Sequence, residues 1–265
     1  MYEQGQVVGH RDAGRVDPAL AALSAQDRLV ELRRRIAAVP GRVGAGAPAT
    51  VAAHDVLPVP GALGELLPHG GVVRGTVVSC PRGVVLSAIL AGVTGSGRHA
   101  AIVGNFRQFR AMRPALLDIW EMGGTLEKVA LVDATAGAPA EIVHVLADGI
   151  EAMVLFDMPR LHLTPTQHER LRARLRTTRS ILVVTGGTGA RQPHLTIDYR
   201  RVGDTGIGRG RGRFARLELD VRVTAAGESP HRGRVMLTGV DGERTQWIPG
   251  QSERDRGPRR LAQTG

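Results

Sequence analysis

Apolar runs of β type and segments of helical spacing take turns along the middle of this chain. Runs rich in branched aliphatics fall at 72–79, His99–Val103, Lys128–Val132, Ala152–Phe156 and Ile181–Thr185. Between them lie helical segments near 83–92, 107–122, 138–148 and 164–178. The runs lack polar alternation and helices separate them, which predicts a parallel sheet buried on both faces. After residue 186 the rhythm changes. Residues 194–202, 214–225 and 232–240 read as strands without intervening helices, and LELDVRV in the second of them alternates with period two. That is the pattern of an antiparallel extension with one wet face. The expected fold class is α/β, with a mostly parallel core first and C-terminal antiparallel strands last.

Upstream, Ser24 is placed to cap a helix, with Asp27 in its first turn. Leu29, Leu32 and Ile36 follow at helical spacing, and Arg28 and Arg33 to Arg35 lie largely off that stripe. The helix should end at Pro40-Gly41, and GRVGAGAPA (41–49) has the composition of a linker. The expected organisation is a disordered N-terminus over 1–23, an amphipathic helical arm over 24–40 and a linker over 41–60. A core over 61–248 and a basic disordered tail over 249–265 complete it. The arm either packs on its own domain or offers Leu29, Leu32 and Ile36 to a partner or to a second copy.

Composition narrows the picture. The chain has 265 residues, 42% of them hydrophobic, enough for a sizeable core, but only 3% are aromatic. Val, Leu, Ile and Ala must therefore build the interior. Cys80 is the single cysteine, which excludes an intrachain disulfide framework and a Cys-rich zinc site. A reducing, cytoplasmic location is expected. No apolar run approaches the roughly 18–20 residues of a membrane span, and the polar start MYEQGQVVGHRDAG has no signal-peptide character. The net charge is +10, and Lys128 is the only lysine. GC-rich codon usage accounts for Arg in place of Lys. It does not account for the excess of basic over acidic residues, which favours a polyanionic partner.

The segment GGVVRGTVVSCPRGVVLSAILAG (70–92) places a β-type run, a turn and an apolar segment where a phosphate-binding loop would lie. A working loop reads G-x-x-x-x-G-K-[ST]. Its backbone N–H groups close on the phosphates, the lysine reaches the β/γ oxygens and the hydroxyl holds Mg²⁺. With Gly83 as the second glycine, Val78 takes the first glycine position, Val84 the lysine and Val85 the hydroxyl. Arg82 would be the cation of an unconventional phosphate site, but it lies on the wrong side of the turn.

These residues carry a resemblance. LPHGGVVRGTVVSCPRGVVLSAILAG is similar to the segment of RecA-type recombinases that leads into the Walker A loop. EAMVLFDMP (151–159) is similar to the Walker B strand, and LTIDYRRVG (195–203) to a later RecA strand. The resemblance runs in order over residues 63–240 and implies a RecA-like P-loop NTPase-type core with an N-terminal helical arm. It also shows what is missing. Asn105 stands where the family carries the glutamate that positions the attacking water, and an amide cannot take a proton from water. Asp157 alone remains, at the Walker B carboxylate, and without the other groups it reads better as a strand-end acid capping the next turn. The positions of the mobile DNA-binding loops, 158–163 and GGTGARQP (186–193), are short.

A shortened, inactivated RecA core of this kind is similar to the ImuA group of mutagenesis proteins, in particular its actinobacterial ImuA-prime form. That resemblance implies a non-catalytic accessory of damage-induced, error-prone translesion synthesis in the SOS response. The implied partner is an ImuB-type inactive relative of Y-family polymerases and, through it, an error-prone C-family polymerase. No cofactor or catalytic residue is implied, and the location would be cytoplasmic, at the nucleoid after DNA damage. Two other readings stay open: an NTPase using Arg82 and Asp157, and a stand-alone non-specific DNA-binding module.

Arginines cluster in three places. In TPTQHERLRARLRTTR (164–179), Leu171 and Leu175 face inward, while Arg170, Arg172, Arg174, Arg176 and Arg179 spread around the rest. In 199–216, Arg200, Arg201, Arg209, Arg211 and Arg213 are the candidate DNA contacts. GRGRGR tracks a backbone without a fixed reading head, and with Phe214 alone in the loop and Tyr199 at its edge, base stacking is thin. In the tail, Arg254, Arg256, Arg259 and Arg260 are candidates for docking a partner. The histidines are scattered, and nothing in the chain has metal-ligand spacing.

Overall fold

A computed structural model describes residues 55–105, 113–134, 139–156, 164–186, 192–205, 216–239 and 244–250. The expected N-terminal arm, most of the linker, the GRGRGR loop and the tail lie outside the described residues. In chain order the elements are β1 (Val56–Pro58), α1 (Gly61–Glu65), β2 (Gly71–Val73), β3 (Val77–Ser79), α2 (Val84–Gly95), β4 (Ala100–Gly104) and α3 (Arg113–Glu121). A short 3-10 turn (Leu126–Lys128) leads to β5 (Val129–Asp133), α4 (Pro139–Leu146), β6 (Ala152–Leu155), α5 (Pro165–Thr178) and β7 (Ile181–Val184). The last four strands are β8 (Leu195–Thr205), β9 (Arg216–Ala225), β10 (His231–Thr238) and β11 (Gln246–Pro249).

Nine strands form one mixed sheet in the order β11-β10-β9-β8-β3-β7-β6-β4-β5. From β8 to β5 every neighbour pair is parallel, and from β8 to β11 every pair is antiparallel. The fold is α/β, as the pattern predicts. Alternate side chains of the parallel strands feed two cores. Val78, Cys80, Ile102, Val154 and Val183 pack with α2 and with Ile119 of α3 on one face. Val77, Val103, Leu155 and Leu182 pack with Val143 of α4 and with Leu171 and Leu175 of α5 on the other.

α5 starts where its sequence predicts. Thr164 and Gln167 form a reciprocal capping box, and Pro165 takes the first turn, worth about 1 kcal/mol of helix stability.

Three differences from the sequence reading have physical causes. The run 72–79 is two strands. Gly75 (φ +79°) turns the chain, Thr76 Oγ1 donates to the Val73 carbonyl at 2.6 Å, and β2 pairs antiparallel with β1 in a separate two-stranded sheet. The assigned linker 41–60 therefore ends in a strand whose Leu57 is fully buried. Lys128–Val132 was expected to be buried on both faces. Its strand, β5, is instead the sheet edge, and Ala130 and Leu131 are exposed.

Among the described residues, the antiparallel extension packs its core on one face. Ile197, Tyr199, Leu219, Val221, Val223 and Val235 join the first core, closed by Trp247 of β11 and Leu66. The opposite face carries Asp198, Arg200, Arg222 and Arg232, all exposed.

Candidate functional site

The carboxyl ends of parallel strands share one edge of a sheet, and ligands of α/β folds bind there. That edge gathers most of the residues singled out in the loop analysis. Gly83 caps α2, Val84 and Val85 open it, and Asn105 follows β4 directly. Phe156, buried beyond the end of β6, bonds through its N–H to the Val103 carbonyl at 2.9 Å. Asp157, the next residue, lies outside the described residues.

α2 has no side-chain cap and no acid in its first turn. Its N-terminus therefore presents free N–H groups and the positive end of the helix dipole, the raw material of a phosphate site. A tyrosine uses it instead. Tyr199 reaches in from β8, its hydroxyl donating to the Arg82 carbonyl at 2.8 Å while its phenol oxygen accepts from the Val84 N–H. Burial, then the neighbouring Cys80, pushes the phenol up to about 12 against the opposing pull of the Val84 bond. The hydroxyl therefore keeps its proton at physiological pH and holds both roles. Gly83 fits beneath it at φ +124°, where a Cβ would lie 2.3 Å from the phenol oxygen.

The positions that should handle charge are apolar and inward. Val85 is fully buried in the first core and Val84 packs against it. A lysine or a Mg²⁺-bound hydroxyl here would face hydrocarbon, where an unpaired charge is strongly disfavoured. Cys80, one strand-end away, is buried, and its thiol donates to the Pro81 carbonyl at 3.4 Å. Burial, reinforced by Asp198, raises its pKa well above the usual thiol range, so it is no nucleophile.

The turn after β7 is also tied down. The Val77 N–H donates to Nδ1 of His194 at 3.0 Å, and the His194 N–H donates to the Val77 carbonyl at 2.8 Å. Arg172 of α5 donates to the Gln192 carbonyl. Burial first, then Arg172 and Arg176, push His194 down to about 4 from the ordinary 6.5. A depressed histidine stabilises the fold fully above the unfolded value, and that contribution fades as pH falls from about 6.5 towards 4. Solvent screening of this half-exposed ring leaves about 1–2 kcal/mol. His194→Asn keeps an acceptor for the Val77 N–H without titrating. Urea melts between pH 4 and 7 should therefore show a shallower pH dependence for that variant, and equal slopes would remove His194 from the account.

The arginines divide by their partners. Arg174 pairs with Asp148 and Arg179 with Asp55, so both help to hold α5 in place. Of the candidate DNA contacts, Arg200 makes two bonds to one Asp220 oxygen, at 3.0 and 2.8 Å, and Arg201 lies 3.7 Å from Asp204. Arg209, Arg211 and Arg213 lie outside the described residues, as do Leu29, Leu32, Ile36, Arg254, Arg256, Arg259 and Arg260. Among the described residues no cluster of His, Cys, Asp or Glu is placed to hold a metal, and no helix is long and apolar enough to cross a membrane.

The family model of the MT3502 N-terminal domain matches residues 65–190. The uncharacterized protein Rv3395c of Mycobacterium tuberculosis is 32% identical over 167 residues, 61% of this chain and 71% of that protein. The chain belongs to the MT3502 family. The MT3502 match takes in β2 to β7, and with them Gly83, Val84, Val85, Asn105 and Asp157. It stops before β8, so the tyrosine that closes the Gly83 turn comes from strands beyond the matched span. Sequence reading missed Tyr199 because nothing local joins two positions 117 residues apart. The one available signal was an aromatic in step with Leu195 and Ile197 on the inward side of β8.

Proposed function

We propose that this MT3502-family protein is a non-catalytic RecA-like accessory of damage-induced mutagenesis, of the ImuA-prime kind. It would scaffold translesion synthesis by holding an ImuB-type inactive polymerase relative, and through it an error-prone C-family polymerase. The observation that carries this reading is the Gly83 turn, a phosphate-loop position with Tyr199 seated on it and Val85 sealed beneath it. Support comes also from the order of the motifs, from a parallel core followed by antiparallel strands and from a mycobacterial relative. The NTPase alternative needs Arg82 and Asp157 to work around a buried aliphatic pair, and no observation favours it.

Two measurements test the reading together. The tagged full chain should retain an ImuB-type partner, and versions lacking residues 1–40 or 250–265 should show which end carries the contact. Failure of all three to retain the partner would end the scaffold reading. Millimolar Mg-ATP should leave the melting temperature unchanged, whereas a ligand at 100 times its Kd adds about 2.7 kcal/mol. Hydrolysis that disappears in Asp157→Ala would overturn the non-catalytic assignment.

A further inference from the structure

The uncovered face of β8, β9 and β10 has a charge pattern that folding alone does not explain. Its residues fall into cross-strand rows. Asp198 lies opposite Arg222, and Arg222 lies opposite Arg232. In the adjacent row Arg200 lies opposite Asp220, and Asp220 opposite Arg234. The second row is neutralised: Arg200 is bonded to Asp220, and Arg234 lies 3.8 Å from Glu218 in a largely buried pair. The first row is not. Arg222 and Arg232 are exposed, and neither has an ion pair or a hydrogen bond among the described residues. Like charges directly opposite on a ladder repel, so this pair is held against its own electrostatics.

An open, shallow groove of about 350 Å³ runs over this face, lined by Asp198, Arg200, Asp220, Arg222 and Arg232, with Tyr199 between the first two in sequence. A small ligand needs a concave, mostly enclosed pocket, whereas a polymer can lie along an open sheet. The unbalanced cations on this face and the +10 charge of the chain select an anionic polymer. Guanidinium forks match phosphate oxygens in a bidentate way. The exposed positions of the face, Asp198, Arg200, Arg222 and Arg232, include no aromatic, so bases gain no stacking platform there.

We propose that the β8–β10 face binds the phosphodiester backbone of nucleic acid, with Arg222 and Arg232 as the contacting pair. Contact is independent of sequence because only the backbone is held. The bound phosphates relieve the Arg222–Arg232 repulsion, and Asp198 confines the contact to one line across the strands. This inference does not depend on the mutagenesis reading.

The test uses the full chain and a fluorescein-labelled 30-base-pair duplex followed by anisotropy. Arg222→Glu with Arg232→Glu should weaken binding at least about tenfold and lower the salt slope by about 1.8, the value for two lost phosphate contacts. Arg222→Lys with Arg232→Lys should stay within about threefold of the parent. A second charge-reversed pair, Arg98→Glu with Lys128→Glu, changes net charge equally near the amino ends of β4 and β5 and should have little effect. Thermal melts verify that each variant is folded. No binding by the parent at low salt overturns the proposal. So does an equal loss in the Arg98 and Lys128 pair, or displacement of the duplex by polyglutamate as readily as by unlabelled DNA. Partner retention should be unchanged in the Arg222 and Arg232 variant, so failure of the scaffold reading and failure of this site are read in separate assays.

Discussion

Gly83→Ala will lower the unfolding free energy by about 2–4 kcal/mol, and Tyr199→Phe will return part of that loss. Two effects add at Gly83. Its φ of +124° lies where an L side chain is strained, at a cost of about 1–3 kcal/mol. Its Cβ would also stand 2.3 Å from the Tyr199 oxygen, closer than any real contact. The phenol must then swing away, leaving the Arg82 carbonyl and the Val84 N–H without their partner. Tyr199→Phe alone loses the same two bonds and costs about 1–2 kcal/mol. In the double variant the clashing oxygen is gone, and the Cβ meets ring carbon Cζ at an ordinary 3.6 Å. The backbone strain and the loss of the two bonds remain, but those bonds are lost once rather than twice, so the double variant should be less destabilised than the sum of the singles by about 1 kcal/mol or more. Denaturant midpoints at constant slope measure the cycle. Strict additivity would mean that the tyrosine does not sit on the glycine.

That coupling concerns function as much as stability. A helix N-terminus with open N–H groups attracts phosphate, and the chain has placed a neutral, protonated phenol there. Val84→Lys with Val85→Thr should therefore not create a nucleotide site, because the approach would still be filled from β8 and position 85 would still point into the first core.

The parallel core was legible because its signal is local. Five aliphatic runs with helices between them leave few arrangements, and Thr164, Pro165 and Gln167 mark the start of α5 by themselves. The lack of a lysine and a hydroxyl after Gly83 was legible too, since Val84 and Val85 are apolar whatever surrounds them. What sits on the turn was not, because Tyr199 meets Arg82 through the pairing of β3 with β8, and pairing is a long-range fact. The arginines failed in a related way. Arg200 and Arg201 read as free cations in a string of residues, yet Asp220 and Asp204 engage them. Arg222 and Arg232, which no acid engages among the described residues, were not singled out in the sequence. Their exceptional property is the register that sets them opposite each other.

The same long-range blindness sets the sign of a second large effect. Gly92 lies inside α2, and a helical glycine replaced by alanine ordinarily gains about 1 kcal/mol. Here Gly92→Ala should lose about 3 kcal/mol or more. β1 crosses the helix at this residue so closely that a Cβ would stand 2.1 Å from the Pro58 carbonyl oxygen and 3.2 Å from the Val59 Cα. Both obstacles are backbone, which cannot rotate away as a side chain would. Relief requires lifting β1 from α2, and that opens the first core at Leu57 and Val72, each fully buried. Overpacking that moves backbone falls among the most destabilising single changes. Gly149→Ala is the matched control: no atom lies within 4 Å of its Cβ position, so its effect should stay within about 0.5 kcal/mol. If Gly92→Ala instead raises the denaturant midpoint, β1 does not cover α2. The segment before residue 60 would then return to being the tether that its composition suggests.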